Sequence, residues 1–531
     1  MIDQLRNLPE HNKFPLPKGV AMATDRKVLV DEIWKSNWQP ASDVPTSKST
    51  SSNVYEKAVI DSLMFPNMDD RGQQIPKAYE KTFQWIFDPN KNIRLDQTIQ
   101  QDEGTGFAEW LEGDDTSIYW ITGKAGSGKS TLVKYIMGHP LKNDLLQAWA
   151  GRKNVELLWA GYYFWEAGGN ALQRSREGMM QTLLYQCLRK RPDLLPTVCP
   201  RRWALYEMLG GVAFTPPSWT WDELNQSFTA LAARSGTDFR LALFIDGLDE
   251  FNGDPTELIS LIKNLDATYD VKICVASRPW TEFSDALVHS PSLTMQALTK
   301  NDILTYVRGH FESCRAYHER KAVSPHAPVK LIYIAERAEG VFLWVSLVVR
   351  SLKEDLVSSH SLEELRITLE SLPQALSELY TKIWQSVGPG KNEKSSQFLQ
   401  LKVATVGAQG FDARLLWVAG GETPPEGSDY DNMLEVIRPI LTRKLDSYTK
   451  GILEVSHYGV IEFVHRTASD WIKQPEIWKY VCSKTHPDFD PSLALLEACN
   501  TYIFPELKVS YSSGSKFEFL LLAGQVDIYI C

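Results

Sequence analysis

Between about residues 116 and 280, short apolar runs rich in β-branched and aromatic residues alternate with stretches whose apolar positions recur every three to four residues. Ile118–Ile121 leads into a glycine loop, and the helix predicted after it buries Leu132, Val133, Ile136 and Met137. Leu157–Trp165 reads as a strand, and Met179, Met180, Leu183, Leu184 and Leu188 line one face of a helix. Leu241–Ile245 and Val271–Ala276 are two more apolar runs of strand length. Nearly continuous apolar strands alternating with helices predict an α/β fold with a parallel sheet flanked by helices on both faces.

After about residue 290 the strand pattern stops. Thr299, with Asp302 three residues on, has the form of a capping-box helix start. Helical patterns follow over Ala327–Leu356, Pro373–Val387 and Met433–Leu445. Gly451–Ser456 and Gly459–Val464 read as a short hairpin, and Arg466–Ile472 as a further helical turn. A helix followed by a two-stranded wing is the pattern of a winged-helix-like domain. The nine apolar residues Val341–Val349 fall short of the ~20 that cross a bilayer, so they are expected as a buried helix.

The expected organisation is a weakly ordered leader at 1–56, with a Ser/Thr/Pro-rich stretch over Pro40–Asn53. A segment at 57–115 precedes a nucleotide-binding core at 116–290. A helical domain at 291–390, a winged-helix-like domain at 391–480 and a tail at 481–531 follow. The tail shows no repeat array, and Trp219 and Trp221 are expected to pack internally rather than bind a partner.

Composition narrows the class. The chain has 531 residues, 43% hydrophobic and 23% charged, which excludes wholesale disorder. There are 56 Lys+Arg against 66 Asp+Glu, and this acidic balance argues against broad electrostatic binding of nucleic acid. The seven cysteines contain no CxxC pair, so neither a disulfide framework nor a zinc ribbon is indicated. With no secretory signal in the first residues and no membrane span, a cytoplasmic location is expected.

One stretch carries chemistry. Gly123, Lys124, Ala125, Gly126, Ser127, Gly128, Lys129, Ser130 and Thr131 fit G-x-x-x-x-G-K-[ST] between a predicted strand and a predicted helix. Glycines let backbone N–H groups wrap phosphates, and the helix N-terminus adds its positive end. Lys129 is placed to reach the β- and γ-phosphates, and Ser130 to bind Mg2+. Downstream, the strand Leu243–Asp246 ends in a carboxylate suited to Mg2+, directly or through water. Asp249 or Glu250, just beyond, would orient or deprotonate the attacking water. A third strand ends at Arg278, which either senses the γ-phosphate or is an ordinary salt-bridge partner.

Taken in order, these pieces closely resemble the NACHT family of signalling NTPases, of the STAND P-loop class and the nephrocystin-3-like type common in fungal NOD-like receptors. The stretches that carry the resemblance are SLMFPNMDD, YWITGKAGSGKSTL, YYFW with Gln173-Arg174-Ser175, FIDGLDEF, KICVASRPW, LTKNDILTYV, GVFLWVSLVV and Phe463–Thr467. The resemblance implies an ATPase core, a helical domain and a winged-helix domain closing over ATP or ADP with Mg2+. It also implies that Arg278 is the sensor arginine and that His465 contacts the β-phosphate of ADP. The expected function is an ATP/ADP-dependent switch with slow hydrolysis and a closed-to-open, oligomerising transition. Such proteins carry effector and repeat domains that this sequence does not show. A truncated scaffold that co-assembles with full-length relatives is therefore the alternative, beside a conventional P-loop ATPase.

Overall fold

The computed structural model describes residues 30–31, 33–35, 52–88, 106–115, 118–209, 217–323, 331–357, 362–405, 411–425, 430–456 and 459–499. Most of the expected leader, the Ser/Thr/Pro-rich positions 40–51 and the tail from 500 onward lie outside them.

Five parallel strands form the central sheet: β1 (Tyr119–Thr122), β2 (Glu156–Tyr163), β3 (Phe239–Asp246), β4 (Val271–Ser277) and β5 (Ser292–Thr294), in the order β2-β3-β4-β1-β5. Every residue of β1, β3 and β4 is buried, which is why these runs lack polar alternation. The strands therefore do not stop at 290. β5, three residues long, is too short to show a period and is held by pairing with β1 from Trp120↔Ser292 to Thr122↔Thr294. At the opposite edge, the Gln186 side chain bonds both the N–H and the C=O of Gly161, each at 2.9 Å, which caps the open side of β2.

Ahead of the sheet, a short helix α1 (Asp70–Gln74) and the turn around Phe83–Trp85 pack onto it. Helix α2 (Lys129–Gly138) follows the glycine loop and buries Leu132, Val133 and Ile136. Helix α3 (Arg176–Lys190) buries Met179, Met180, Leu183, Leu184 and Leu188, as its periodicity predicts. Helix α4 (Trp221–Ala232) packs on the same side.

Beyond β5 the chain is helical. Helix α5 (Lys300–Glu312) starts where expected, but without the capping box: Thr299 makes no side-chain cap bond. Asp302 instead accepts from Phe83 N at 3.1 Å and from the Trp85 indole at 2.7 Å, stitching the segment before the sheet to the helical layer. Positions 327–330 of the expected helical pattern lie outside the described residues; from Leu331 on, the pattern is two helices, α6 (Leu331–Arg337) and α7 (Phe342–Val357), broken at Glu339 and Gly340. Gly340 has φ +78°, and a β-carbon there would lie 2.4 Å from Gln296 Cα, so no other residue fits the break. The apolar run 341–349 is indeed buried along α7. A second sheet, antiparallel in the order β6-β8-β7, contains β6 (Phe411–Asp412), β7 (Leu453–Val455) and β8 (Val460–Phe463). Helix α8 (Tyr430–Thr449) precedes its hairpin and α9 (Arg466–Ile472) follows it, giving the winged-helix-like part. The two-residue strand β6 was not expected.

Trp219, Trp221 and Trp34 take part in packing. Arg202 is fully buried, pairs with Glu223 through 2.8 and 2.9 Å bonds, and lies 3.7 Å from the Trp219 ring centroid and 5.7 Å from that of Trp34. Trp34 thus anchors part of the leader onto the body. Trp221 stacks on Arg176 at 4.2 Å.

Candidate nucleotide site

The sheet register brings the chemistry to one edge. Asp246, the last residue of β3, pairs with Ala276 on β4, and Ser277 beside it pairs with Thr122 at the end of β1. The glycine loop, Asp246 and Arg278 therefore leave the carboxyl ends of neighbouring parallel strands, where α/β sheets bind ligands. Asp246 is not on the strand next to the loop: β4 lies between them.

The loop is held from both sides. Gly126 has φ +71°, and a β-carbon there would lie 2.8 Å from Leu343 Cβ, so a side chain is excluded twice over. Its carbonyl accepts from Leu343 N on α7 at 3.0 Å. The Lys124 side chain turns outward to Glu339 at 2.8 Å, leaving this position only its backbone to offer a ligand. Lys129 Nζ donates to the carbonyls of Gly123 at 2.8 Å and Lys124 at 3.1 Å. Desolvation lowers its pKa, while Asp249 and Asp246 oppose the fall.

Asp246 is 1% exposed, and burial pushes its carboxyl up to about 6 against a hydrogen bond from the Ser130 hydroxyl that lowers it. Its Oδ1, like the Ser127 hydroxyl, is buried without a hydrogen-bond partner. Both arms of Asp249 go to Arg278, whose N–H donates to Oδ1 at 3.0 Å and whose Nε lies 2.9 Å from Oδ2. Glu250 accepts from Glu166 N at 3.1 Å, and desolvation raises its pKa.

The winged-helix-like part enters through α9. His465 caps that helix, its Nδ1 accepting from Thr467 N at 3.2 Å. An accepting Nδ1 leaves the proton of the neutral ring on Nε2. Desolvation, then Arg71, Arg278, Lys129 and Arg466, push His465 down to about 3, so the ring is neutral. Arg466 Nη2 lies 2.5 Å from Glu166 Oε2, and Nη1 lies 3.4 Å from the Asp249 carbonyl.

The structure thus brings Lys129, Ser130, Asp246, Asp249, Glu250, Arg278 and His465 into one neighbourhood. It also adds Arg71, Glu166 and Arg466. Arg71 directly follows the SLMFPNMDD stretch and Glu166 directly follows YYFW, so adjacency to those motifs was the available signal. The donor set fits a polyphosphate with a hard divalent cation: backbone amides in a glycine cradle, a lysine, a serine hydroxyl, and a buried carboxylate oxygen free of protein partners.

Residues 99–278, from before the glycine loop to Arg278, match the family model described as "Nephrocystin 3, N-terminal". That match takes in the glycine loop, the strand ending in Asp246 and Arg278. The chain is also 25% identical over 376 residues to the vegetative incompatibility protein HET-E-1 of Podospora anserina, a match covering 69% of this chain and 25% of that protein. The chain so spans about a quarter of the length of that relative. The resemblance to NACHT-type P-loop NTPases drawn from the motifs therefore stands. Among solved structures, similarity extends to the Drosophila ORC bound to DNA (13% identity, TM-score 0.32, 84% of this chain and 97% of that one). It extends also to the Aeropyrum pernix ORC1 protein in complex with DNA (15%, TM-score 0.27, 75% and 97%).

Proposed function

We propose that this nephrocystin-3-type core is a nucleotide-dependent signalling switch that binds ATP or ADP with Mg2+ and hydrolyses ATP slowly. One observation carries the reading. Phosphate-binding groups of the core (Lys129, Ser130, Asp246, Arg278) share their neighbourhood with His465 and Arg466 from the winged-helix-like part. A ligand held there contacts both parts, so its phosphate count can bias their arrangement.

Each residue has work to do. The loop amides and Lys129 hold the phosphates, and Ser130 with Asp246 holds Mg2+, which when bound neutralises charge on the phosphate oxygens. Glu250 takes the water-activating role, because Asp249 spends both oxygens on Arg278. His465, neutral with its proton on Nε2, offers one hydrogen bond to a phosphate oxygen without adding charge. Reversing a 99:1 preference between closed and open states needs about 5.5 kcal/mol of differential binding. The contacts of His465, Arg278 and Arg466 are the candidates to supply it.

The curated relative is named a vegetative incompatibility protein, and a related cytoplasmic signalling role, with homo-oligomerisation or co-assembly in the open state, is the reading we extend to this chain. The experiment is to purify the chain, denature it and identify the released nucleotide by chromatography, alongside turnover. Near-stoichiometric ADP with turnover far below ~10 s⁻¹ is expected. Nucleotide-free protein with rapid Mg-ATP turnover makes it a conventional ATPase instead.

A further inference from the structure

Helix α1 belongs to the segment ahead of the core, yet it is wedged into the site. Gly72 faces Tyr163, the last residue of β2: a β-carbon at Gly72 would lie 3.4 Å from the Tyr163 ring. Gln74 Nε2 donates to Glu462 Oε1 on β8 at 3.0 Å, three residues before His465. Arg71 directly precedes Gly72, and its guanidinium lies 5.8 Å from the Trp165 ring centroid.

The other cations of the cluster are engaged. Lys129 donates to two loop carbonyls, Arg278 pairs with Asp249, and Arg466 pairs with Glu166. Arg71 has no hydrogen bond or ion pair from its side chain among the described residues, and its Nε is buried without a partner. Its charge nevertheless reaches Asp246, Glu250 and His465. A guanidinium nitrogen buried without a hydrogen bond is costly, and the planar fork matches phosphate oxygens better than any other side chain does.

We propose that Arg71 is a phosphate-contacting residue of the nucleotide site, delivered from the segment that precedes the core. The inference rests on the nucleotide-site reading above. It has a consequence of its own: with Arg71 on a phosphate, α1 is pinned to the nucleotide through Arg71 and to the wing through the bond of Gln74 to Glu462, so the segment ahead of the core senses nucleotide through Arg71.

Calorimetric titration of the full chain with ADP and a non-hydrolysable ATP analogue, in Arg71→Ala and Lys129→Ala, tests it. Thermal unfolding without added nucleotide serves as the control. Loss of one charge-assisted phosphate contact predicts about 10- to 100-fold weaker binding in Arg71→Ala. Arg71→Lys should recover part of that loss, and the melting temperature of nucleotide-free Arg71→Ala should stay close to that of the parent. Wild-type affinity in Arg71→Ala beside lost affinity in Lys129→Ala overturns the role of Arg71 and leaves the site standing. Wild-type affinity in both overturns the nucleotide site itself. If Arg71→Ala does not fold, Arg71→Gln, which keeps the stem over Trp165, gives the same measurement, and unchanged binding in it likewise overturns the proposal.

Discussion

Asp249 grips Arg278 twice, accepting its backbone N–H at 3.0 Å and facing its Nε at 2.9 Å. The pair closes the loop after β3 onto the end of β4 and removes Asp249 from the choice of catalytic base. Glu250, one residue on, has one oxygen on Glu166 N and a pKa raised by desolvation, which suits a proton acceptor.

Replacing Glu250 by Gln should therefore cut ATP turnover about 100-fold or more while Mg-ATP affinity stays within a few-fold. Phosphate release under single-turnover conditions is the measurement. Undiminished release from Glu250→Gln would remove it as the base.

For Lys129→Ala the expected result is loss of nucleotide binding by about 100-fold or more, since a charge-assisted contact disappears from the centre of the loop. Titration calorimetry reads it, and an unchanged isotherm would sink the assignment of the loop.

Arg466 ties α9 to the core through Glu166 and the Asp249 carbonyl. The ion pair is partly exposed, so its contribution to stability is small, about 1 kcal/mol or less. Its effect should appear in release instead. Arg466→Ala is expected to speed ADP dissociation several-fold and to expose the linker between core and wing to limited proteolysis. A double charge swap, Arg466→Glu with Glu166→Arg, should restore part of the retention. Identical dissociation rates in parent and Arg466→Ala would count against the clasp.

His465 gives a pH dependence with a definite sign. Its native pKa, about 3, lies below the ordinary 6.5, because desolvation and the cations Arg71, Arg278, Lys129 and Arg466 disfavour the imidazolium. Its contribution is full above pH 6.5 and is lost as pH falls toward 3, since the unfolded chain then binds the extra proton. The melting temperature of the chain should drop between pH 7.5 and 5.5, and less steeply in His465→Gln. Parallel profiles for the two proteins would show that another group carries the effect.

Away from the site, Glu223→Ala leaves Arg202 charged and buried between Trp219 and Trp34. Stranding a buried cation costs about 3–5 kcal/mol. Urea unfolding should show it, and a loss under ~1 kcal/mol would mean water reaches Arg202.

Much of the core was legible because its signals are local. The glycine loop, the strand ending in Asp246 and the strand that runs up to Arg278 each lie within one run of residues, and parallel strands place their carboxyl ends side by side. Where a residue's role depended on a distant partner, the sequence misled or fell silent. Asp302 sits at capping-box spacing from Thr299, yet it bonds Phe83 and Trp85, more than 200 positions away in the chain. The helical pattern over 327–356 hid a break because the reason for the break, the approach of Gln296 to Gly340, is not local.

The sequence by itself determined the class of sheet and the places of the glycine loop and of the carboxylate Asp246, since each follows from period, spacing and residue type along a short stretch. Only the tertiary structure decided which charges meet. It committed Asp249 to Arg278, brought Arg466 to Glu166, and left the Arg71 guanidinium without a hydrogen bond or ion pair among the described residues. Electrostatic pairing depends on distance and desolvation in space, and neither is written in the order of residues along the chain.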